Sequence, residues 1–546
     1  MLLKKICFSL LVCTVSFAKQ QPNIIILVAD DQRREQANWL PEGRDKSLSP
    51  NMDRLAGDGI ILSELYSPSP VCVPSRFATL TGLYPSRATN QWMQDLYRMH
   101  GHTFVHQEPN VIPETPTIAK DLKKLGYVTG AVGKNHVIKA PGYEKVDARD
   151  SLEDPAIIAR LHTNQAAVQA AYTEAGFDFA ERFYHTNPRV IGPPEIQVHN
   201  LEWVNEAALK FIEENHESPF FLYYAVTVPH APKNGFRSDP KASPVGILDV
   251  APKGMPSRES ISRRLNKAGF KDSVGDLLWL DDCVGSVLEQ LKSCGIDDNT
   301  IILYFSDHGV ESGKTTCYQG GMRTFGFVWG EPIAGGRFES GRCSLVDIGP
   351  TLYEIAGGVA DSSRYDGISL KENWFARKPL EDRIIYGEMG HSRAVIAGKW
   401  KYIALRYSDY HKNLGLEERL AWLESANEYQ RSNKWQTFEG NDPNGPFGHS
   451  GFIPDLWDHE KVAQQANPNF FAADQLYDLD RDPNEQTNLA SDPKYASVLK
   501  QMQSALTQQL EGMPGPFAEF KPRTEPLLSM EERIKVGRKL MKTVFH

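Results

Sequence analysis

Cys72 opens the stretch Cys72-Val-Pro74-Ser75-Arg76-Phe-Ala-Thr-Leu-Thr-Gly82, in which Pro74 suits a first helical turn and Gly82 a helix end. A cysteine just before a helix amino terminus faces unpaired amides and the positive end of the helix dipole, surroundings that favour an anion. A small buried cysteine at a helix start fits the same pattern, so this stretch alone leaves nucleophile and core filler open. Far away in sequence lie an acidic pair, Asp30-Asp31, and the pair Asp307-His308. Carboxylate oxygens suit a hard divalent cation, although a helix cap or a turn explains either pair equally well when seen singly. Lys134, His136, His230 and Lys314 add groups that can move or neutralise charge.

The elements that must position these residues are legible in the apolar runs. Asn23 to Ala29, Pro219 to Thr227 and Thr300 to Ser306 are continuous hydrophobic stretches of strand length, as expected for strands covered on both faces of a parallel sheet. Helical patterns, Val204 to Asn215 and Leu277 to Ser293, precede the second and third. The runs end in Asp30-Asp31, Pro229-His230 and Asp307-His308-Gly309. In an open α/β sheet the site lies beyond the carboxyl ends of the strands, so the catalytic residues should gather there. A short helix near Asp347 to Gly357 closes this region.

After about residue 375 the texture changes. Arg383 to Gly387, Ala394 to Ala397 and Lys399 to Leu405 read as short antiparallel strands, and Ser491 to Leu510 as a closing helix. The fold expected is α/β: a large mixed, mostly parallel sheet flanked by helices, with a smaller C-terminal α+β domain carrying an antiparallel sheet. The division is residues 1–18, 19–375 and 376–546, with a polar but aromatic-bearing insertion over 407–469. That insertion either packs its aromatic side chains on the domain beneath or forms a wall of the substrate cleft.

Cys72-Val-Pro74-Ser75-Arg76, continued by Thr-Leu-Thr-Gly-Leu-Tyr-Pro-Ser-Arg87, resembles the signature of the formylglycine-dependent sulfatases of the alkaline-phosphatase superfamily. The resemblance runs from Pro22 to about Ala490, with further islands in the family's order. Asp30, Asp31, Asp307 and His308 match the metal-binding positions. Gly133-Lys134-Asn135-His136 matches Gly-Lys-x-His, Pro229-His230-Ala-Pro232 matches Pro-His-x-Pro, and Lys314 matches the lysine before Gly-Gly-x-Arg323. Gln319 departs from the glutamate expected before that last motif. The resemblance implies an alkaline-phosphatase-like fold and oxidation of Cys72 to formylglycine (3-oxoalanine) by a maturation enzyme. It also implies one divalent cation, taken as Ca2+, held by Asp30, Asp31, Asp307, His308 and the modified Cys72. Arg76, Lys134, His136, His230 and Lys314 then complete the catalytic set.

The 546 residues carry 60 Lys+Arg against 69 Asp+Glu, and the net charge of −9 argues against a general nucleic-acid binder. Lys4, Lys5 and an apolar run from Ile6 to Val15, followed by Ser16-Phe17-Ala18, read as a secretory signal, too short to span a bilayer. Cleavage would remove two of the seven cysteines and two lysines, leaving a more acidic protein in the periplasm or outside the cell, with no membrane anchor. Export fits hydrolysis of sulfate esters on a sulfated carbohydrate of carrageenan, ulvan or glycosaminoglycan type. His100, His102, His106, Arg33, Arg34 and Arg323 are candidates for sugar or sulfate contacts. The alternatives are a phosphomonoester or phosphonate-ester hydrolase, a small aryl or choline sulfate hydrolase, and an inactive carbohydrate-binding relative.

Overall fold

The structure, a computed structural model, describes residues 21–544. The expected signal over 1–18 lies outside the described residues. The main sheet is built from β1 (Asn23–Asp30), β2 (Ile60–Tyr66), β3 (Val128–Lys134), β4 (Phe179–Tyr184) and β5 (Phe220–Pro229). After a short hairpin, β6 (Ala242–Ser243) and β7 (Gly246–Ile247), it is completed by β8 (Thr300–Ser306), β9 (Arg323–Trp329), β10 (Arg337–Glu339) and β11 (Cys343–Ser344). The order is β10-β2-β9-β8-β1-β5-β3-β4, with β11 also on β2. Only β9 runs against the others, pairing antiparallel with β8 and β2. The sheet is therefore mixed and mostly parallel, as expected.

Along β1 the side chains alternate between two cores. Ile25, Leu27 and Ala29 face one, with the helices Pro50–Asp58, Leu201–Asn215 and Gly275–Ser293. Ile24, Ile26 and Val28 face the other, with the helices Cys72–Thr81, Ile118–Lys124 and Ile348–Ile355. This two-sided burial explains why β1, β5 and β8 read as unbroken apolar runs.

A second sheet of four antiparallel strands follows: β12 (Ile385–Met389), β13 (Ser392–Ala397), β14 (Trp400–Leu405) and β15 (Asp474–Asp478). One face packs on the helix Ala496–Glu511 through Met502, Leu506 and Leu510. The other packs on Tyr66, Val71, Cys317 and Tyr318, so this sheet braces the loops that enter the site. Residues 407–469 contain the helices Asp409–Lys412, Leu416–Ser432 and Asp458–Ala466. Their Trp422, Phe438 and Phe447 are buried in a cluster with Leu96, Met99 and Leu540, which is the packing role weighed for the aromatics.

Candidate active site

The carboxyl ends of β1, β3, β5 and β8 converge on the segment entering the helix Cys72–Thr81. Cys72 is the first residue of that helix, after an extended Val71, rather than the residue preceding it. Gly82 ends the helix with φ 68°, and its N–H bonds to the Ala78 carbonyl. Beyond β1 the chain turns through Asp31 at φ 59°. The Asp31 N–H donates to Asp307 Oδ1 at 3.2 Å, which ties the end of β1 to the end of β8. Gly133 has φ 93°, and a Cβ there would sit 1.9 Å from the Ala225 carbonyl oxygen. Only glycine lets β3 approach β5 this closely, and the next residue is Lys134.

Three carboxylates and three cations interlock at these strand ends. Lys134 Nζ lies 2.6 Å from Asp30 Oδ2. Arg76 Nη2 lies 3.4 Å from Asp30 Oδ1 and 3.1 Å from Asp307 Oδ2. Lys314 Nζ bonds both oxygens of Asp31, at 2.8 and 2.6 Å. Burial alone would raise the Asp30 carboxyl, but the charges of Lys134, His230 and Arg76 outweigh it and hold the group well below the usual carboxylate range. Asp31 is lowered in the same way, burial being outweighed by Lys314, His230 and His308.

Cys72 Sγ points into this cluster, 3.7 Å from Asp30 Oδ1 and 3.4 Å from His308 Nε2. Burial, offset only in part by Lys134, pushes its thiol up, so the helix terminus does not make it a thiolate. His230 Nε2 is 3.4 Å from Asp31 Oδ2, while its Nδ1 donates to the Ala231 carbonyl at 3.1 Å. His136 is partly buried, and its Nδ1 is buried without a hydrogen-bond partner.

The donor set fits a divalent cation. One ligand atom each from Asp30, Cys72 and Asp307 lies within 4.8 Å of the others, and the same holds for Asp31, Cys72 and His308. The carboxylate oxygens are hard donors, and His308 offers a nitrogen lone pair. Three carboxylates against Arg76, Lys134 and Lys314 leave the pocket near neutral. A dication would therefore give it the surplus positive charge that an anionic substrate needs.

The structure brings Cys72, Arg76, Lys134, His230, Lys314, Asp30, Asp31, Asp307 and His308 into one cluster. The expected carbohydrate contacts are placed differently. His100 and His102 are 3% and 6% exposed, stacked with Phe104 and against His391, so they offer no open surface to a sugar. His106 packs on Phe452, and Arg34 is bonded to Glu42 and to the Ser63 and Thr324 carbonyls. Arg33 faces Glu35 at the surface. Arg323 pairs with Glu64 and lines an open cavity of about 720 Å³ together with Arg34, Glu311 and Gln319.

Two residues of the site escaped the sequence reading. Asn187 Oδ1 accepts from Lys134 Nζ at 2.5 Å. It follows β4, whose Phe179-Ala-Glu-Arg-Phe-Tyr184 puts two charged residues between apolar ones, so that only its aromatics signal a strand. His459, in the first turn of Asp458–Ala466, lies within electrostatic reach of Lys314, Asp31 and His230. No local pattern marks it, because only the tertiary fold of the insertion brings it there. The five described cysteines, Cys72, Cys283, Cys294, Cys317 and Cys343, are all free thiols.

Residues 22–359 match the family model described as Sulfatase. N-acetylgalactosamine-6-sulfatase of Mus musculus is 28% identical over 417 residues, covering 70% of this chain and 72% of the relative. A solved structure from Bacteroides thetaiotaomicron, described under metabolism of multiple glycosaminoglycans, superimposes with TM-score 0.59 at 19% identity, covering 90% of this chain and 99% of that one. A second, Ps i-CgsB in complex with k-i-k-neocarrahexaose, gives 0.57 at 18% identity, covering 96% and 98%.

Proposed function

The chain belongs to the sulfatase family and is a sulfuric ester hydrolase, and from that premise we propose that it is an exported enzyme hydrolysing sulfate esters on a carbohydrate. Its substrate is a polysaccharide or oligosaccharide of glycosaminoglycan or carrageenan type. The supporting observation is the charge-balanced cluster around Cys72, in which Arg76, Lys134 and Lys314 oppose Asp30, Asp31 and Asp307. The relatives named for N-acetylgalactosamine 6-sulfate, glycosaminoglycan metabolism and neocarrahexaose support the substrate class. The protein works in the periplasm or outside the cell, after a maturation enzyme has oxidised Cys72.

Formylglycine at position 72 supplies a hydrated aldehyde as nucleophile, and Ca2+ held by Asp30, Asp31, Asp307 and His308 supplies Lewis acidity and positive charge. The chain's own residues do the rest. Arg76 lies one helical turn beyond Cys72, and its buried guanidinium, paired with Asp30 and Asp307, supplies the positive charge that holds the oxygens at position 72. Lys134 and Lys314 neutralise sulfate oxygens in a pocket assembled before substrate arrives. His230, its Nδ1–H fixed by the Ala231 carbonyl, protonates the leaving sugar oxygen from Nε2 in its imidazolium form, which Asp31 at 3.4 Å stabilises. His136 would serve as the base for a hydroxyl proton at position 72.

The test is sulfate release from a panel of defined sulfated oligosaccharides, run beside aryl sulfate, choline sulfate and aryl phosphate. Turnover of at least one oligosaccharide above the small esters is expected. If only aryl or choline sulfate reacts, the carbohydrate assignment falls.

A further inference from the structure

We propose that His100, His391 and His411 form a second metal site, for a zinc-class transition ion, which fastens the 407–469 insertion to the wall beside Cys72. The three residues come from separate segments. His100 ends the helix Gln91–His100, His391 lies in the turn between β12 and β13, and His411 lies in Asp409–Lys412. One ring nitrogen of each lies within 4.8 Å of the other two. All three are buried, at 3%, 0% and 4% exposure.

The donor atoms lie close together. His391 Nε2 and His411 Nδ1 are 2.7 Å apart. Ser408 Oγ lies 3.0 Å from His100 Nδ1 and 3.5 Å from His411 Nδ1, which makes it a possible fourth donor. His100 Nε2 and His391 Nδ1 are buried without a hydrogen-bond partner. Three imidazoles are a costly way to fill a core that Phe104, Tyr410 and Phe447 already line, because His391 Nε2 and His411 Nδ1 pair only while one of them carries the proton. An ion would take the lone pairs of both facing nitrogens at once, together with one from His100.

The chemistry of the set selects the ion. No carboxylate is among the donors, and the neighbouring guanidinium groups of Arg393 and Arg533 are bonded to the Gly390 and Met99 carbonyls. A hard cation held mainly by charge, such as calcium, is disfavoured there. Neutral imidazoles suit a borderline ion bound by directional nitrogen bonds, and three nitrogens plus one oxygen suit tetrahedral geometry. The ion would act at a distance from the chemistry. The Glu388 N–H donates to the Pro68 carbonyl, and Ser69 Oγ contacts Met389 Sδ, so the β12–β13 turn bearing His391 braces the segment that leads into Cys72.

The test uses the full chain, stripped of metal, saturated with Ca2+ and then exposed to Zn2+ or Co2+. Expected are one zinc retained per chain by elemental analysis after gel filtration, a higher Tm, and the intense visible spectrum of tetrahedral cobalt. His391→Gln and His411→Gln should weaken zinc retention by about 100-fold or more, since even outer-shell partners of a metal are worth 10–100-fold. No zinc retained in calcium buffer, or retention unchanged in both variants, overturns the proposal. Should the variants fail to fold, the wild-type cobalt spectrum decides, and a weak octahedral spectrum overturns it.

Discussion

His308 Nε2 lies 3.4 Å from Cys72 Sγ, while Nδ1 of the same ring donates to the Gly309 carbonyl at 2.8 Å. A carbonyl only accepts, so the proton of the neutral ring sits on Nδ1 and the lone pair of Nε2 faces the pocket. Asp31 Oδ1 and Asp307 Oδ1 stand 3.3 and 3.8 Å from that nitrogen. The ring is thus prearranged as a metal ligand by its backbone partner rather than as a proton carrier.

His308→Ala should therefore weaken binding of the catalytic divalent cation by about 10-fold or more, the scale on which even supporting partners of a metal act. His308→Asn should lose less, because an amide oxygen is a hard donor. Calcium titration of stripped protein measures both. Equal affinity in wild type and His308→Ala would remove His308 from the ligand set.

Lys134 and Lys314 neutralise different carboxylates in different surroundings, and their variants should separate. The Lys134 side chain and Asp30 are both fully buried, so Lys134→Ala strands a buried charge and should cost about 3–5 kcal/mol of stability. Lys314 and Asp31 are 13% and 18% exposed, and water can take part of the missing cation's place. Lys314→Ala should therefore lower kcat by about 100-fold or more while lowering Tm less than Lys134→Ala. Equal Tm losses would contradict this reading of burial.

How much of this was legible in the sequence depended on where each element buries itself. β1, β5 and β8 lie in the middle of the sheet with both faces covered, so their unbroken apolar runs announced them, together with Asp30, His230 and Asp307 at their ends. β4 lies at an edge and mixes Glu181 and Arg182 with aromatics, so Asn187 beyond it went unseen. The insertion hid for another reason. Leu416–Ser432 buries only Trp422, Leu423, Ala426 and a few polar residues, and its partners lie on Gln91–His100 and Met530–Val544, far away in sequence. For the same reason His100, His102 and His106, neighbours in one segment, suggested sugar contacts, although His100 and His102 are buried against His391, a residue far away in sequence.

Asn187 offers a test of positioning. Its carbonyl oxygen fixes the ammonium of Lys134, and a hydrogen bond to a charged group is worth about 1.5–3 kcal/mol. Asn187→Ala should lower kcat by about 10-fold or more with little change in KM, because Lys134 remains but is less well aimed. Asn187→Asp should keep the contact and add a negative charge beside the sulfate, which raises KM. If Asn187→Ala left kcat unchanged, Asp30 alone would suffice to orient Lys134.

The buried thiol of Cys72 makes maturation an all-or-none matter. With its pKa raised, an unmodified Cys72 is neither a thiolate nor a diol, so protein made without the maturation enzyme should turn over sulfate esters at least about 1000-fold more slowly. Its Tm should match that of the mature protein, because Cys72 makes only weak contacts with Asp30 and His308. Mass analysis of the peptide containing Cys72, beside the activity of each preparation, checks this. Full activity with the thiol intact would rule out the formylglycine route.

Acid should destabilise the protein through buried histidines that are not metal ligands. Burial, with a smaller contribution from Lys139, pulls His185 down to about 4, and burial with the charge of His230 pulls His199 down to about 3. In the unfolded chain each ring takes a proton near pH 6.5. Below that pH the unfolded state binds protons that the folded state refuses, so the stabilisation present above pH 6.5 is lost as the pH falls toward 4. At 1.36 kcal/mol per pH unit, His185 alone amounts to about 3 kcal/mol over that window. Asn135 Nδ2 donates to His185 Nδ1 at 3.3 Å and Tyr143 stacks on the ring at 3.8 Å, so protonating Nδ1 breaks a specific contact. His185→Gln should unfold more easily at pH 7 yet lose less stability between pH 7 and 5 than the wild type does in urea titrations. Asp281, whose buried carboxyl is raised to about 7, acts in the opposite sense but is common to both proteins and cancels in the comparison. Parallel pH profiles for the two proteins would show that His185 takes up its proton in the folded state.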